Sequence, residues 1–303
     1  MLRYIGASAI ANAFSVTPAT RRTYRKLANE LETWRRNRGG LPDWYLERVR
    51  LLVSCVERNV ELAPGSSTLE IGTGYVHWES LILSLITDVS ATMVDVVDNR
   101  LLSVFKLYVS ELEPHLETIG LPPQRIAPAR VLLETVRNAS SFEEIYSKLS
   151  WAYVLNESGT MEDLPENSFD LVVSSDVLEH IDRTILSSFI EKMFRLMRPG
   201  AYTYHSIGLR DHLANYDPKA PAKCYYRLDG TTWDRWVNSK VQYINRVQRP
   251  EWLALFRQAG FECISEEADY EDHGIKKVHP SYSYLTQPEL DTNTLKLVFR
   301  KPE

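Results

Sequence analysis

The sequence predicts an α/β fold, a doubly wound and mostly parallel sheet with an N-terminal helical extension and an insert after the fifth strand. Three observations carry this expectation. Ser67-Thr-Leu-Glu-Ile-Gly-Thr-Gly-Tyr75 is an apolar run that ends in an acidic residue and two glycines, and an amphipathic stretch follows it. A second apolar run, Ala91–Val97, carries Met93-Val-Asp95. Two further runs, Phe169–Ser174 and Ala201–Ile207, flank a segment of helical period. Strands that alternate with helices build parallel sheets, because each crossover needs a helix to return the chain.

The elements follow in order. Leu27, Leu31 and Trp34 recur at helical spacing, Gly39-Gly-Leu-Pro42 breaks the helix, and Tyr45, Val49, Leu52, Val53 and Val56 resume it. Residues 1–64 are therefore a helical extension, ending at Pro64-Gly65, and residues 65–303 form the sheet domain. Trp78, Leu81, Ile82 and Leu85 mark the buried stripe of the helix after the glycine turn. Residues 99–148 read as mostly helical with a break at Gly120-Leu-Pro-Pro123, and Ala152–Asn156 as a short third strand. Ile185, Phe189, Met193 and Leu196 define a helix that Pro199-Gly200 should end. Residues 208–248 break this rhythm. They are polar and aromatic (Asp211, His212, Tyr216, Tyr225, Tyr226, Trp233, Trp236, Tyr243), lack a period, and read as a lid or acceptor-binding insert.

Composition narrows the function classes. A chain of 303 residues with 44% hydrophobic and 25% charged residues is ordinary for a globular enzyme, and a net charge of -5 gives no electrostatic case for nucleic acid. Arg21, Arg22, Arg25, Lys26, Arg35, Arg36 and Arg38 cluster near the N-terminus, either as a solvated helix face or as a docking surface for an anionic substrate or membrane. The N-terminal helices could also carry a homodimer contact. Cys55, Cys224 and Cys263 have no metal-ligand spacing; Cys55 and Cys263 sit in apolar surroundings and read as buried thiols. Ile5 to Val16 is too short and polar for a secretory core, and no segment reads as membrane-spanning, so a cytoplasmic location is expected.

The glycine segment carries the chemistry. Gly72 and Gly74 permit positive φ and close approach of a ligand, and Asp95 stands where a carboxylate can accept both hydroxyls of a ribose; Asp98 is the alternative. The dinucleotide pattern Gly-x-Gly-x-x-Gly fails, since Tyr75, Val76 and His77 follow the second glycine. Glu70 would repel a diphosphate and suits a ligand carrying positive charge. On these residues the chain resembles the class I S-adenosylmethionine-dependent methyltransferases, a Rossmann-like superfamily. Three further segments extend the resemblance over roughly residues 66–300: Met161–Asp182, Leu196-Met-Arg-Pro-Gly200 and Glu251–Phe261.

The resemblance implies S-adenosyl-L-methionine as methyl donor, with Glu70, Gly72, Gly74 and Asp95 at its binding turn. It puts Met161 and Glu162 beside the adenine, with Thr160 where an acidic residue is frequent, and Ser175 near the sulfonium. Val76 replaces a glycine many relatives carry, so Trp78 could line the pocket. Asp176-Val-Leu-Glu-His180 permits two readings: local capping and packing, or a divalent-metal site completed by His205 or His212, and the metal is left unknown. His205 and His180 are the candidate bases for an acceptor hydroxyl, with His212 third, and Asn245 and Arg246 suit a carboxylate or phosphate on the acceptor. The expected activity is methyl transfer to an oxygen or nitrogen of a small, sugar- or glycan-related acceptor. A non-catalytic S-adenosylmethionine-binding interaction protein and an aminopropyl transferase are the alternatives.

Overall fold

The computed structural model describes residues 2–272, 275 and 277–303. Its centre is a seven-stranded sheet in the order β3-β2-β1-β4-β5-β7-β6. The strands are β1 (Ser67–Ile71), β2 (Ser90–Asp95), β3 (Trp151–Leu155), β4 (Phe169–Ser175), β5 (Met197–Gly208), β6 (Glu262–Tyr270) and β7 (Thr292–Arg300). The first five run parallel, and β7 lies antiparallel between β5 and β6. The strand order reverses at β1 and β4, which places the crevice for a ligand at their carboxyl ends.

Eleven described helices surround the sheet: α1 (Leu2–Ser15), α2 (Pro18–Gly39), α3 (Asp43–Asn59), α4 (Trp78–Ile86), α5 (Leu102–Leu112), α6 (Ile126–Asn138), α7 (Phe142–Leu149), α8 (Leu186–Leu196), α9 (Gly230–Trp236), α10 (Arg249–Gln258) and α11 (Gln287–Asp291). Helices on both faces make β1 and β4 apolar on both sides, as Leu69, Leu171, Val172 and Val173 show by their burial. One core layer joins α3, α4, α5 and α6 through residues such as Val49, Leu81, Phe105 and Leu133. The other joins α8 and α10 through Ile190, Trp252 and Phe256 with Phe299 of β7.

The helical extension divides in two. Helix α3 shares the main core, since Val49, Leu52, Val53 and Val56 pack with Leu81 and Tyr204. Helix α2 buries no residue, and Leu27, Leu31 and Trp34 are exposed; the helix forms where its period predicts, but its apolar stripe faces open space. Pro18 in its first turn and the Thr17 side chain accepting from the Thr20 N–H set its start. Helix α1 packs instead on the insert: Tyr4 joins Leu213, Tyr225, Tyr226 and Trp233 in a third core. The insert holds short 3₁₀ turns at His212–Tyr216 and Cys224–Arg227 besides α9. Much of its aromatic content is thus core, while Tyr216 and Trp236 stay exposed.

Two local expectations are corrected. Pro199-Gly200 lies inside β5 rather than ending α8, which stops at Leu196; Gly200 takes φ 79° and donates its N–H to the Lys301 carbonyl. Cys263 is exposed on β6, because that strand is a sheet edge. Among the described residues no helix is long and apolar enough to cross a membrane.

Candidate active site

The turn after β1 is held from both sides. Gly72 (φ 71°) donates to the Val94 carbonyl at 2.7 Å, and Gly74 (φ 62°) donates to Asp95 Oδ2 at 2.9 Å. His77 closes the turn at φ 44°, fully buried, with Nδ1 2.6 Å from Thr73 Oγ1 and Nε2 2.7 Å from Tyr146 Oη. Burial, assisted by the Arg100 charge, pushes its pKa down to about 3, so it stays neutral. These two hydrogen bonds hold a left-handed residue where a third glycine would otherwise serve. Trp78 is also core: it is fully buried and its Nε1–H donates to the Tyr45 carbonyl.

Glu70 is 1% exposed and sits beneath the turn, outside the cavity's lining. Its Oε2 accepts the Ser80 N–H and hydroxyl, which ties β1 to the first turn of α4, a favourable place for a carboxylate. Burial, then the neighbouring Glu79 charge, raises its pKa to about 8.

At the carboxyl ends of β1 and β2 lies a cavity of about 250 Å³ lined by Gly72, Asp95, Met161, Val177, Ile185 and Phe189 among others. Asp95 Oδ1 accepts the Val96 N–H at 2.8 Å, so the backbone aims this carboxylate while burial raises its pKa against those hydrogen bonds. Asp98 is occupied elsewhere: Arg100 grips both its oxygens and lowers its pKa. Met161, buried at φ 55°, lines the cavity, whereas Glu162 is turned outward toward Lys192, 3.4 Å away. Ser175 ends β4 half-buried, just outside the cavity's lining.

Beyond β4 the chain makes a 3₁₀ turn, Leu178–His180, that the insert clamps. Asn245 Nδ2 donates to the carbonyls of Leu178 (2.8 Å) and Ile181 (3.2 Å), and its N–H donates to that of Glu179. His180 Nδ1–H donates to the Tyr243 carbonyl at 2.7 Å, which leaves Nε2 as an acceptor. His212 of the insert faces it, ring centroids 4.8 Å apart. Desolvation lowers the pKa of His180, which keeps part of its ring exposed, and that of His212 to about 4 with the added repulsion of His180 and Arg210. Glu179 is buried; Oε1 accepts the Gly208 N–H at 3.1 Å and Oε2 has no partner.

A second, larger cleft of about 940 Å³ opens between α2 and the insert, lined by Arg25, Leu31, Trp44, Tyr75, His212 and Lys240 among others. His180 lines the smaller cavity and His212 the larger, so the imidazole pair stands where the two meet. Asp176 also lines the larger cleft; it takes φ 56° and lies 3.7 Å from Arg48 of α3, whose guanidinium also grips Glu79. Arg48 bridges the glycine-turn helix to the end of β4, and it has no sequence signal, being one of several charged residues on an amphipathic helix.

The remaining polar residues have other partners. His205 is fully buried on the α10 side of β5, Nδ1 2.8 Å from Ser174 Oγ and its ring 5.3 Å from Phe256. Its neighbour Tyr204 points into the opposite core layer, so neither reaches the two cavities. Desolvation alone pushes the His205 pKa to about 3. Asp211 accepts from Tyr4 Oη at 2.6 Å, tying α1 to the residue next to His212. Arg210 lies 3.7 Å from Glu271, and Arg246 stacks over Trp233 with a hydrogen bond to Tyr282.

Comparison with known proteins adds a family. The family model described as methyltransferase domain matches residues 25–266. No curated protein matches the chain. Several solved structures are similar at low identity. Phosphoethanolamine N-methyltransferase 2 of Haemonchus contortus, in complex with S-adenosyl-L-methionine, is 16% identical over 84% of this chain and 52% of its own, with a TM-score of 0.48. An S-adenosylmethionine dependent methyltransferase from Mesorhizobium loti is 15% identical over 84% of this chain and 96% of its own, with a TM-score of 0.44. The [4+2]-cyclase SpnF is 15% identical over 84% of this chain and 80% of its own, with a TM-score of 0.46.

Proposed function

The chain belongs to the methyltransferase domain family, and we propose that it transfers a methyl group from S-adenosylmethionine to an oxygen or nitrogen of a small acceptor seated in the larger cleft. One observation carries this reading: a cavity with a carboxylate at the tip of β2 meets a wider cleft at a pair of facing imidazoles. When bound, S-adenosylmethionine supplies an electrophilic methyl carbon on a sulfonium. The residues present suit it. Asp95 has lone pairs beyond its backbone hydrogen bonds for the two ribose hydroxyls, and Val96, Met161, Ile185 and Phe189 give the apolar walls a purine needs. Gly72 brings the backbone close, Gly74 and Glu70 hold the turn, Ser175 lies just outside the cavity's lining, and Glu162, next to Met161 but turned outward, reaches the donor only by a change of rotamer.

Holding donor and acceptor in contact is the protein's main contribution, worth up to roughly 7–11 kcal/mol. His180 and His212 are the groups that meet the acceptor's attacking atom, and His205 has no part in this reading. Residues 1–64 supply one wall of the acceptor cleft and residues 208–248 the other, with the sheet domain, 65–303, beneath. Tyr24, Trp44, Tyr75 and Tyr216 give that cleft flat apolar faces, and Arg25 and Lys240 give it positive charge, which suits a sugar-related acceptor bearing an anionic group. Calorimetry against S-adenosylmethionine and its decarboxylated form tests the donor. The reading expects the first to bind better, and failure of the intact donor to bind removes it.

Two substitutions sharpen the site. Asp95→Ala should weaken donor binding by more than about 1.5 kcal/mol, the lower range for a charge-assisted partner, and Asp98→Ala far less. The reverse ranking in calorimetry would move the ribose contact. His205→Gln should leave donor affinity and turnover within a few-fold of wild type while lowering thermal stability, because the imidazole is packed against Phe256. A hundredfold loss of turnover in a folded His205→Gln protein would return the catalytic role to that residue.

A further inference from the structure

We propose that Glu179, His180 and His212 form a binding site for one divalent first-row metal ion, with an open ligand position toward the larger cleft. The ion's use, holding an acceptor oxygen, rests on the methyl-transfer reading; its binding does not. One ligand atom from each of the three residues lies within 4.8 Å of the other two. Donors around a single ion at about 2.0–2.2 Å stand about 3.3–3.6 Å apart in a tetrahedron and about 4.4 Å apart when opposite one another, so an inward movement of about an ångström or less by each side chain closes the set.

Each ligand is already aimed. The Glu179 carboxylate is fixed by the Gly208 N–H on Oε1, and its other oxygen is buried without a partner. An unpartnered buried carboxylate oxygen is costly, and a cation is the partner that best offsets that cost. His180 is held as a ligating histidine usually is, with Nδ1–H on the Tyr243 carbonyl and Nε2 left free. His212 comes from a different segment, and its neighbour Asp211 is anchored on Tyr4, so the insert holds the third ligand in place.

Two imidazoles and one carboxylate select a borderline ion such as Mn²⁺, Co²⁺ or Zn²⁺ over Mg²⁺ or Ca²⁺. The three residues leave coordination positions free, and His212 and Asp176 border the larger cleft, so an acceptor hydroxyl can reach one of them. Charges of both signs border the site: Asp176 lies beside Glu179, and Arg48 bridges Asp176 and Glu79.

The test uses the full chain stripped with a chelator and titrated separately with Zn²⁺ by calorimetry and with Co²⁺ by visible absorption. One ion per chain is expected, with a cobalt band that shifts on adding azide. Glu179→Gln and, at a more exposed ligand, His212→Ala should each weaken binding at least tenfold while S-adenosylmethionine affinity stays within a few-fold. No stoichiometric binding, or binding unchanged by His212→Ala, overturns the site, and a cobalt band indifferent to azide overturns the open position. If the ion binds and S-adenosylmethionine does not, the metal site stands and the methyl-transfer reading falls.

Discussion

Gly72→Val is expected to abolish measurable S-adenosylmethionine binding. Two effects add. The residue sits at φ 71°, where a β-branched side chain costs about 1–3 kcal/mol of backbone strain. A Cβ there would also stand 2.5 Å from Val177 Cγ2 and 2.8 Å from its Cγ1, closer than side-chain carbons approach, so Val177 must move. Val177 lines the cavity and opens the turn that carries Glu179 and His180, so the displacement reaches both halves of the site. The contrast is Gly74, where a Cβ meets only the Gly72 carbonyl at 4.0 Å, and φ 62° is the sole penalty. Gly74→Asn, a residue that tolerates the left-handed region, should therefore retain most of the affinity. Calorimetry and thermal melts on both variants check the pair; a Gly72→Val protein that binds the donor as wild type would remove the cavity from the donor's role.

His212→Ala should lower turnover about a hundred- to ten-thousand-fold, the usual range for a group that handles the acceptor's proton, whether the imidazole takes that proton itself or holds the ion that acidifies the hydroxyl. That is roughly 3–5 kcal/mol of barrier at 1.36 kcal/mol per tenfold. Donor affinity should change little, because His212 lines only the acceptor cleft. His180→Ala should disturb both quantities, since His180 also lines the donor cavity. Full turnover by His212→Ala on the acceptor would sink the proposed junction.

The parallel order of the first strands, the glycine turn and Asp95 were legible because each is local: a run of apolar residues, a positive φ, a carboxylate at a strand tip. His205 was not, because β5 is buried on both faces and alternation cannot tell which side of such a strand opens to a cleft. Leu27, Leu31 and Trp34 gave the right helix and the wrong surroundings, since a period reports an amphipathic face and not what covers it. The aromatic residues of the insert looked like a ligand surface, yet Tyr225, Tyr226 and Trp233 chiefly bury one another and Tyr4. Arg48, Glu79 and Asp176 meet across three segments, and such a meeting has no signature in any one of them.

The place of β7 has a consequence for how the molecule forms. β5 pairs with β4 on one edge, and its other edge finds its partner only in β7, after the insert, α10 and β6 have all been made. During synthesis the chain therefore carries an unpaired strand edge beside a parallel sheet, the arrangement most open to pairing with a neighbouring chain. Closing so long a loop is also the slow kind of folding event, because its entropy is lost before the contacts form. The insert that forms one wall of the acceptor cleft lies within that loop, so the cleft gains its final shape only once β7 has docked.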